Sequence, residues 1–153
     1  MSTRHELSIT RDIPLPAARL YQGWTDPDLL VQWFTPKPWS TVRATLDVRP
    51  GGSNLIVMRN PEGQEFPNAG VYLEVVPNQR LVLTDAYTKA WEPAEHPFMT
   101  AVITFEELDN GLTRYTARAL HWTAEDCEKH ESMGFSTGWN QALDQLIEVL
   151  SRT

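Results

Sequence analysis

The sequence predicts an α+β fold: a curved antiparallel sheet of about seven strands around one long C-terminal helix, with two short helices after the first strand. Three observations predict it. Apolar residues recur at every second position through most of residues 40–122, the period of half-buried strands. Short turn signals separate these runs, so consecutive strands pair as hairpins and the sheet is antiparallel. From Thr123 to Leu150 the period changes to that of an amphipathic helix, and such a helix must cover the concave face of the sheet.

Each element follows from local chemistry. Residues 6–13 mix Leu7, Ile9 and Ile13 with polar residues and read as a strand. Pro16 suits the first helical position, where its missing N–H has no intrahelical partner to lose, and that helix runs to about Gly23. Asp26 caps a second short helix with Pro27 at its first position. Its apolar face is Leu29, Leu30, Trp33 and Phe34, and Pro36 and Pro38 end it. Val42, Ala44, Leu46 and Val48 then alternate with polar residues. Further strands are predicted over 54–60, 68–77, 80–88, 98–108 and 112–122, with 89–97 an irregular loop holding Trp91 and His96. Asp109-Asn110-Gly111 is the strongest hairpin signal. Thr123 caps the last helix, with Glu125 and Asp126 where the helix dipole favours acids.

The chain as a whole narrows the function classes. Its 153 residues suit a single domain, 1–153, large enough for one core. The longest apolar run is about Leu55–Met58, far short of a membrane span, and the stretch from Met1 to Thr10 has no apolar leader core. One cysteine, Cys127, allows no internal disulfide, and with the missing leader this suggests a cytoplasmic protein. A net charge of −7 with scattered Lys and Arg argues against nucleic acid. The partners expected are therefore a small apolar molecule or another protein, with the chain a monomer or homodimer.

Two features point to an interior cavity. Six tryptophans are many for a domain of this size and suggest an aromatic-lined space. The C-terminal helix also places Gly134 and Gly138 beside Phe135 and Trp139, although each glycine costs a helix about 1 kcal/mol. They either leave room for a ligand, or Gly134 marks a break after which the helix restarts near Ser136.

The segments TDPDLLVQWF, LDVRPGGSNLIVMRNPEG, GVYLEVVPNQRLVLTDAY, AVITFEEL with GLTRYTARA, and GWNQALDQL resemble one group in order and spacing. That group is the family related to the C-terminal domain of the heat-shock-protein ATPase activator, within the START-like (SRPBCC) superfamily that includes polyketide cyclases and the birch pollen allergen. The resemblance implies a helix-grip fold with a cavity between sheet and helix. It implies no cofactor and brings no catalytic residue. The activator's separate N-terminal domain has no counterpart here, which weakens a co-chaperone role.

Candidate site residues follow from parity. Tyr115, Ala117, Ala119 and His121 share one strand face and Arg114 and Arg118 the other, so Tyr115 and His121 are expected to face the cavity and orient a ligand by hydrogen bonds. Trp33, Phe34 and Trp39 would close one mouth, Phe135 and Trp139 would form the roof, and Met58, Tyr87 and Met99 the floor. His121 and Asp85 are the weak candidates for acid–base catalysis of a cyclase or hydrolase type. No ligand motif for a metal is present, and the segment carrying Cys127, His130 and Glu131 reads as polar and exposed.

Overall fold

A computed structural model describes residues 5–152, so the first four residues of the N-terminal stretch without a leader core lie outside the described residues. β1 (Glu6–Ile13) leads into α1 (Ala17–Thr25) and α2 (Pro27–Leu30). Pro16 serves as the N-cap of α1, and Asp26 caps α2 by accepting from the Asp28 N–H at 2.9 Å. The turn after α2 carries the chain to β2 (Ser40–Leu46), β3 (Ser53–Arg59), β4 (Glu65–Val76) and β5 (Arg80–Thr84). After β5 comes a small separate hairpin, β6 (Tyr87–Lys89) and β7 (Glu92–Pro93), which corrects the expected irregular loop. β8 (Met99–Glu107) and β9 (Thr113–His121) follow, then α3 (Ala124–Ser132) and α4 (Phe135–Arg152).

The main sheet has seven strands, all antiparallel, in the order β1-β9-β8-β5-β4-β3-β2. Its inner face and α4 form one core. Ile9, Ile103, Ala117 and Ala119 of the sheet are buried with Leu143, Leu146, Val149 and Leu150 of the helix. Each such aliphatic side chain larger than alanine contributes roughly 1.5–3 kcal/mol by leaving water. Arg11, on β1, reaches Asp144 on α4 at 2.7 Å; as an exposed pair this fixes orientation more than it stabilises.

The predicted parity of β9 holds: Thr113, Tyr115, Ala117, Ala119 and His121 are buried, while Arg114 and Arg118 pair outside with Asp12 and Glu6. The strand predicted through residue 88 instead ends at Thr84. The Asp85 carboxylate accepts the backbone N–H groups of Phe98 and Met99, at 2.8 and 3.1 Å, and bends the chain away. Gly134 has φ +89 and separates α3 from α4, so it is a helix break, with α4 beginning at Phe135.

Candidate functional site

The sheet is not covered evenly. α4 packs against β1 and α1 at one end, and over β3, β4, β5 and β8 an open cleft of about 150 Å³ remains. Ile56 and Met58 of β3, Leu83 of β5, Met99 and Ala101 of β8 make its apolar floor, and Phe34 after α2 forms a wall. Its position has a local cause. Gly70 of β4 sits opposite Asn54, and a Cβ there would lie 2.5 Å from the Thr84 carbonyl oxygen. The strands therefore approach closely where no side chain can project, and the floor dips.

Polar groups in the lining are few: Asn54, Asn68, Thr84 and Asp85. Thr84 is satisfied by Thr100, whose hydroxyl donates to it at 3.0 Å, and by the Ala86 N–H at 3.1 Å. The Asn68 amide donates to the Phe66 carbonyl at 3.0 Å. Asn54 differs. Its side chain is 6% exposed and its Nδ2 has no hydrogen-bond partner.

The sequence candidates divide around this cleft. Phe34, Met58, Met99 and Asp85 line it. Trp33 does not, because its indole donates to the Gly23 carbonyl at 2.9 Å and its ring meets Trp24 edge-on. Trp39 lies half outside, stacked on Phe66 at 5.4 Å. Tyr87 packs against Trp91 on the β6–β7 hairpin. Tyr115 faces inward but is sealed in the core, where its hydroxyl accepts from the Trp24 indole at 3.1 Å and burial pushes its phenol pKa up. The excess of tryptophan is thus core and surface rather than cavity wall: none of the six borders the cleft.

Phe135, Trp139 and His121 meet in a second cluster. Phe135 and Trp139 stack at 4.6 Å, and both rings touch His130. His130 is buried, a correction to the exposed segment expected, because the break at Gly134 folds α3 back onto the end of β9. The ring hydrogens follow from the partners. His121 Nδ1 lies 2.9 Å from the His5 carbonyl and must donate, so its Nε2 accepts from His130 Nδ1 at 2.8 Å. Burial, then the neighbouring His121, lowers the His130 pKa to about 4. With both nitrogens engaged, and outside the cleft, His121 does not converge with Asp85 on one site.

Among the described residues no group of three or more His, Cys, Asp or Glu is placed to hold a metal ion. Burial, with Glu131 and Glu128 nearby, pushes the Cys127 thiol up, away from nucleophilic character. No helix among the described residues is long and apolar enough to cross a membrane. Asn54, Ile56, Gly70, Leu83 and Ala101 were not anticipated as lining, although Asn54 shares the parity of Ile56 and Met58.

An antiparallel sheet gripping a C-terminal helix, with a cleft on its concave side, defines a START-like helix-grip protein. Residues 14–151 match the family model described as Activator of Hsp90 ATPase homolog 1-like protein, and the chain belongs to that family. It is similar to a crystal structure of a Nitrosomonas europaea protein at 44% identity and a TM-score of 0.92, covering 96% of this chain and 94% of that one. A Mycobacterium smegmatis protein matches at 28% identity and a TM-score of 0.77, covering 97% and 91%. A Rhodobacter sphaeroides protein at 19% identity and a TM-score of 0.84, covering 97% and 93%, shares the fold. No curated protein matches the sequence significantly.

Proposed function

We propose that this protein binds a small apolar or aromatic molecule in the cleft beside Phe34. The observation that carries this reading is the lining itself, mostly apolar side chains with the buried Asn54 carboxamide set among them. The Asn54 Oδ1 lies beside Gly70, 3.3 Å from where a Cβ there would stand, so it gives a guest one polar contact, while covering the apolar lining contributes about 25 cal/mol per Å² removed from water. The volume supports a guest of one ring, since an apolar cavity of about 150 Å³ accommodates benzene. Native mass spectrometry of freshly purified protein, with methyl NMR of Met58 and Met99 during titration with single-ring aromatics, tests it. A mass excess lost on denaturation, or saturable methyl shifts, is expected. A bare native mass together with unmoved methyl signals overturns the reading.

A second reading has one observation of its own. Trp39 and Phe66 form a stacked, partly exposed pair, 37% and 42% accessible, of the kind a protein partner covers. The family description makes an Hsp90-type ATPase the partner to try. Stimulated ATP hydrolysis that is lost in Trp39→Ala would support this reading, and unchanged hydrolysis would remove it.

A further inference from the structure

The side-chain polar atoms that the cleft leaves for a guest are acceptors. Its lining contains no Lys, Arg or His, and its one ionisable side chain is Asp85. The donors in the lining are engaged: the Asn68 amide gives to the Phe66 and Ile56 carbonyls at 3.0 and 3.4 Å, and the Thr84 hydroxyl to the Met99 carbonyl at 3.4 Å. Asp85 is held in place through Oδ1, which accepts the backbone N–H groups of Phe98 and Met99. Its Oδ2 accepts none, and Asp85 enters none of the ion pairs among the described residues. Asn54 Nδ2 is the one side-chain nitrogen or oxygen among the described residues that is both buried and unpartnered. Asp85 Oδ2 and Asn54 Oδ1, equally without a partner in the chain, are therefore open to water. Asn54 faces Gly70 across β3–β4, and Val71 faces Thr84 across β4–β5, so Asn54 and Asp85 flank Gly70 in one row. Their Cα atoms stand roughly 10 Å apart across two strand spacings, with no side chain between them.

Resting on the binding reading above, we propose that the guest is a small primary amine, carried as its ammonium ion on an apolar single-ring body, with Asp85 as its counter-ion. The ammonium stands over Gly70. It gives one N–H to Asp85 Oδ2 and another to Asn54 Oδ1, a match between a group that only donates and a lining that only accepts. The ring lies on Ile56, Met58 and Leu83 against Phe34. A purely apolar guest over this floor strips water from an unpaired carboxylate, which costs free energy; a cation replaces that water with a charge-assisted hydrogen bond. A carboxylate guest meets the opposite fate, because it sets a second anion beside Asp85 with no cation in the lining to offset either. The net charge of −7 favours the same choice by concentrating cations around the chain.

The test is a methyl NMR titration of the whole protein at neutral pH with benzylamine, a cation there, and with benzyl alcohol, toluene and benzoate. Benzylamine is expected to bind at least about tenfold tighter than benzyl alcohol or toluene, as one hydrogen bond to a charged group allows, and benzoate is expected to bind weakest. Asp85→Asn keeps an oxygen for the Phe98 and Met99 N–H groups; it is expected to bring benzylamine down to the level of benzyl alcohol and to leave toluene unchanged. A salt series on the unaltered protein asks the same question without a variant. From about 20 mM to about 500 mM salt, benzylamine is expected to lose affinity and toluene to lose none. Equal affinity for benzylamine and benzyl alcohol, tighter binding of benzoate, a benzylamine affinity indifferent to salt, or a preference that survives Asp85→Asn overturns this inference and leaves the cleft a binding site. Failure of all four probes to move Met58 or Met99 overturns it too, and together with a bare native mass overturns the binding reading as well.

Discussion

Tyr115 and Trp24 show how a polar residue facing inward serves the core rather than a ligand. The indole N–H of Trp24 has one acceptor, the Tyr115 hydroxyl at 3.1 Å, and both rings are buried. Tyr115→Phe keeps the ring and leaves that N–H without an acceptor. It is expected to lower stability by about 1–3 kcal/mol, read as a lower urea midpoint at unchanged slope; an unmoved midpoint would mean that the indole finds another acceptor. Gly70 is the opposite case, a residue defined by what it lacks. A methyl there would sit 2.5 Å from the Thr84 oxygen and 3.3 Å from Asn54 Oδ1, so Gly70→Ala must push β4 from β5. A loss of about 1–3 kcal/mol is expected, with weaker binding of any aromatic probe, measured by denaturant melts and the same NMR titration. Period-two parity made the inward direction of Tyr115 and His121 legible in the sequence, but not their partners. Trp24 is 91 residues from Tyr115, and only the folded sheet brings the two together.

The two glycines of the C-terminal segment look alike in the sequence and behave differently as parts of an element. Gly134 has φ +89, a conformation that other residues enter at a cost, and the turn it makes is what brings His130 against His121. Gly138 lies inside α4 in ordinary helical geometry, and an added Cβ would meet only Pro36, at 3.9 Å. Gly134→Ala is therefore expected to destabilise by about 1–2 kcal/mol, and Gly138→Ala to stabilise by about 0.4–1 kcal/mol through lost freedom in the unfolded chain. Thermal or urea melts of both variants decide it, and a stabilising Gly134→Ala would show that the break is dispensable. Neither glycine opens space for a ligand, since the cleft lies beside Phe34 and no α4 residue borders it. The elements themselves were readable because each strand and helix repeats its own period. The end of β5 was not, because Asp85 stops it with backbone N–H groups from residues 98 and 99, which no local pattern reveals.

At the scale of the molecule, α3 is held to the end of the sheet by a hydrogen-bonded pair of histidines, and the burial of His130 couples folding to pH. His130 is packed among Phe98, Phe135 and Trp139, and its Nδ1 hydrogen is given to His121, itself tied to the His5 carbonyl. The nearest ionisable neighbour across the interface is His121, and burial is the larger reason that the His130 pKa falls to about 4 from an ordinary 6.5. Above the unfolded value both states are neutral there, and the contribution to stability is complete. As pH drops below about 6.5 the unfolded chain takes up a proton that the folded protein refuses, so stability falls; below about 4 both states are charged and the loss is complete. Full retention of that shift is worth about 3 kcal/mol, which sets the upper bound of the effect. The expected result is a His130 ring titration by NMR with its midpoint near 4, together with a fall in urea stability between pH 7 and 4.5 that is steeper than in His130→Phe. A His130 midpoint near the ordinary 6.5, or parallel stability curves for the two proteins, would mean that the histidine pair does not hold α3 in place.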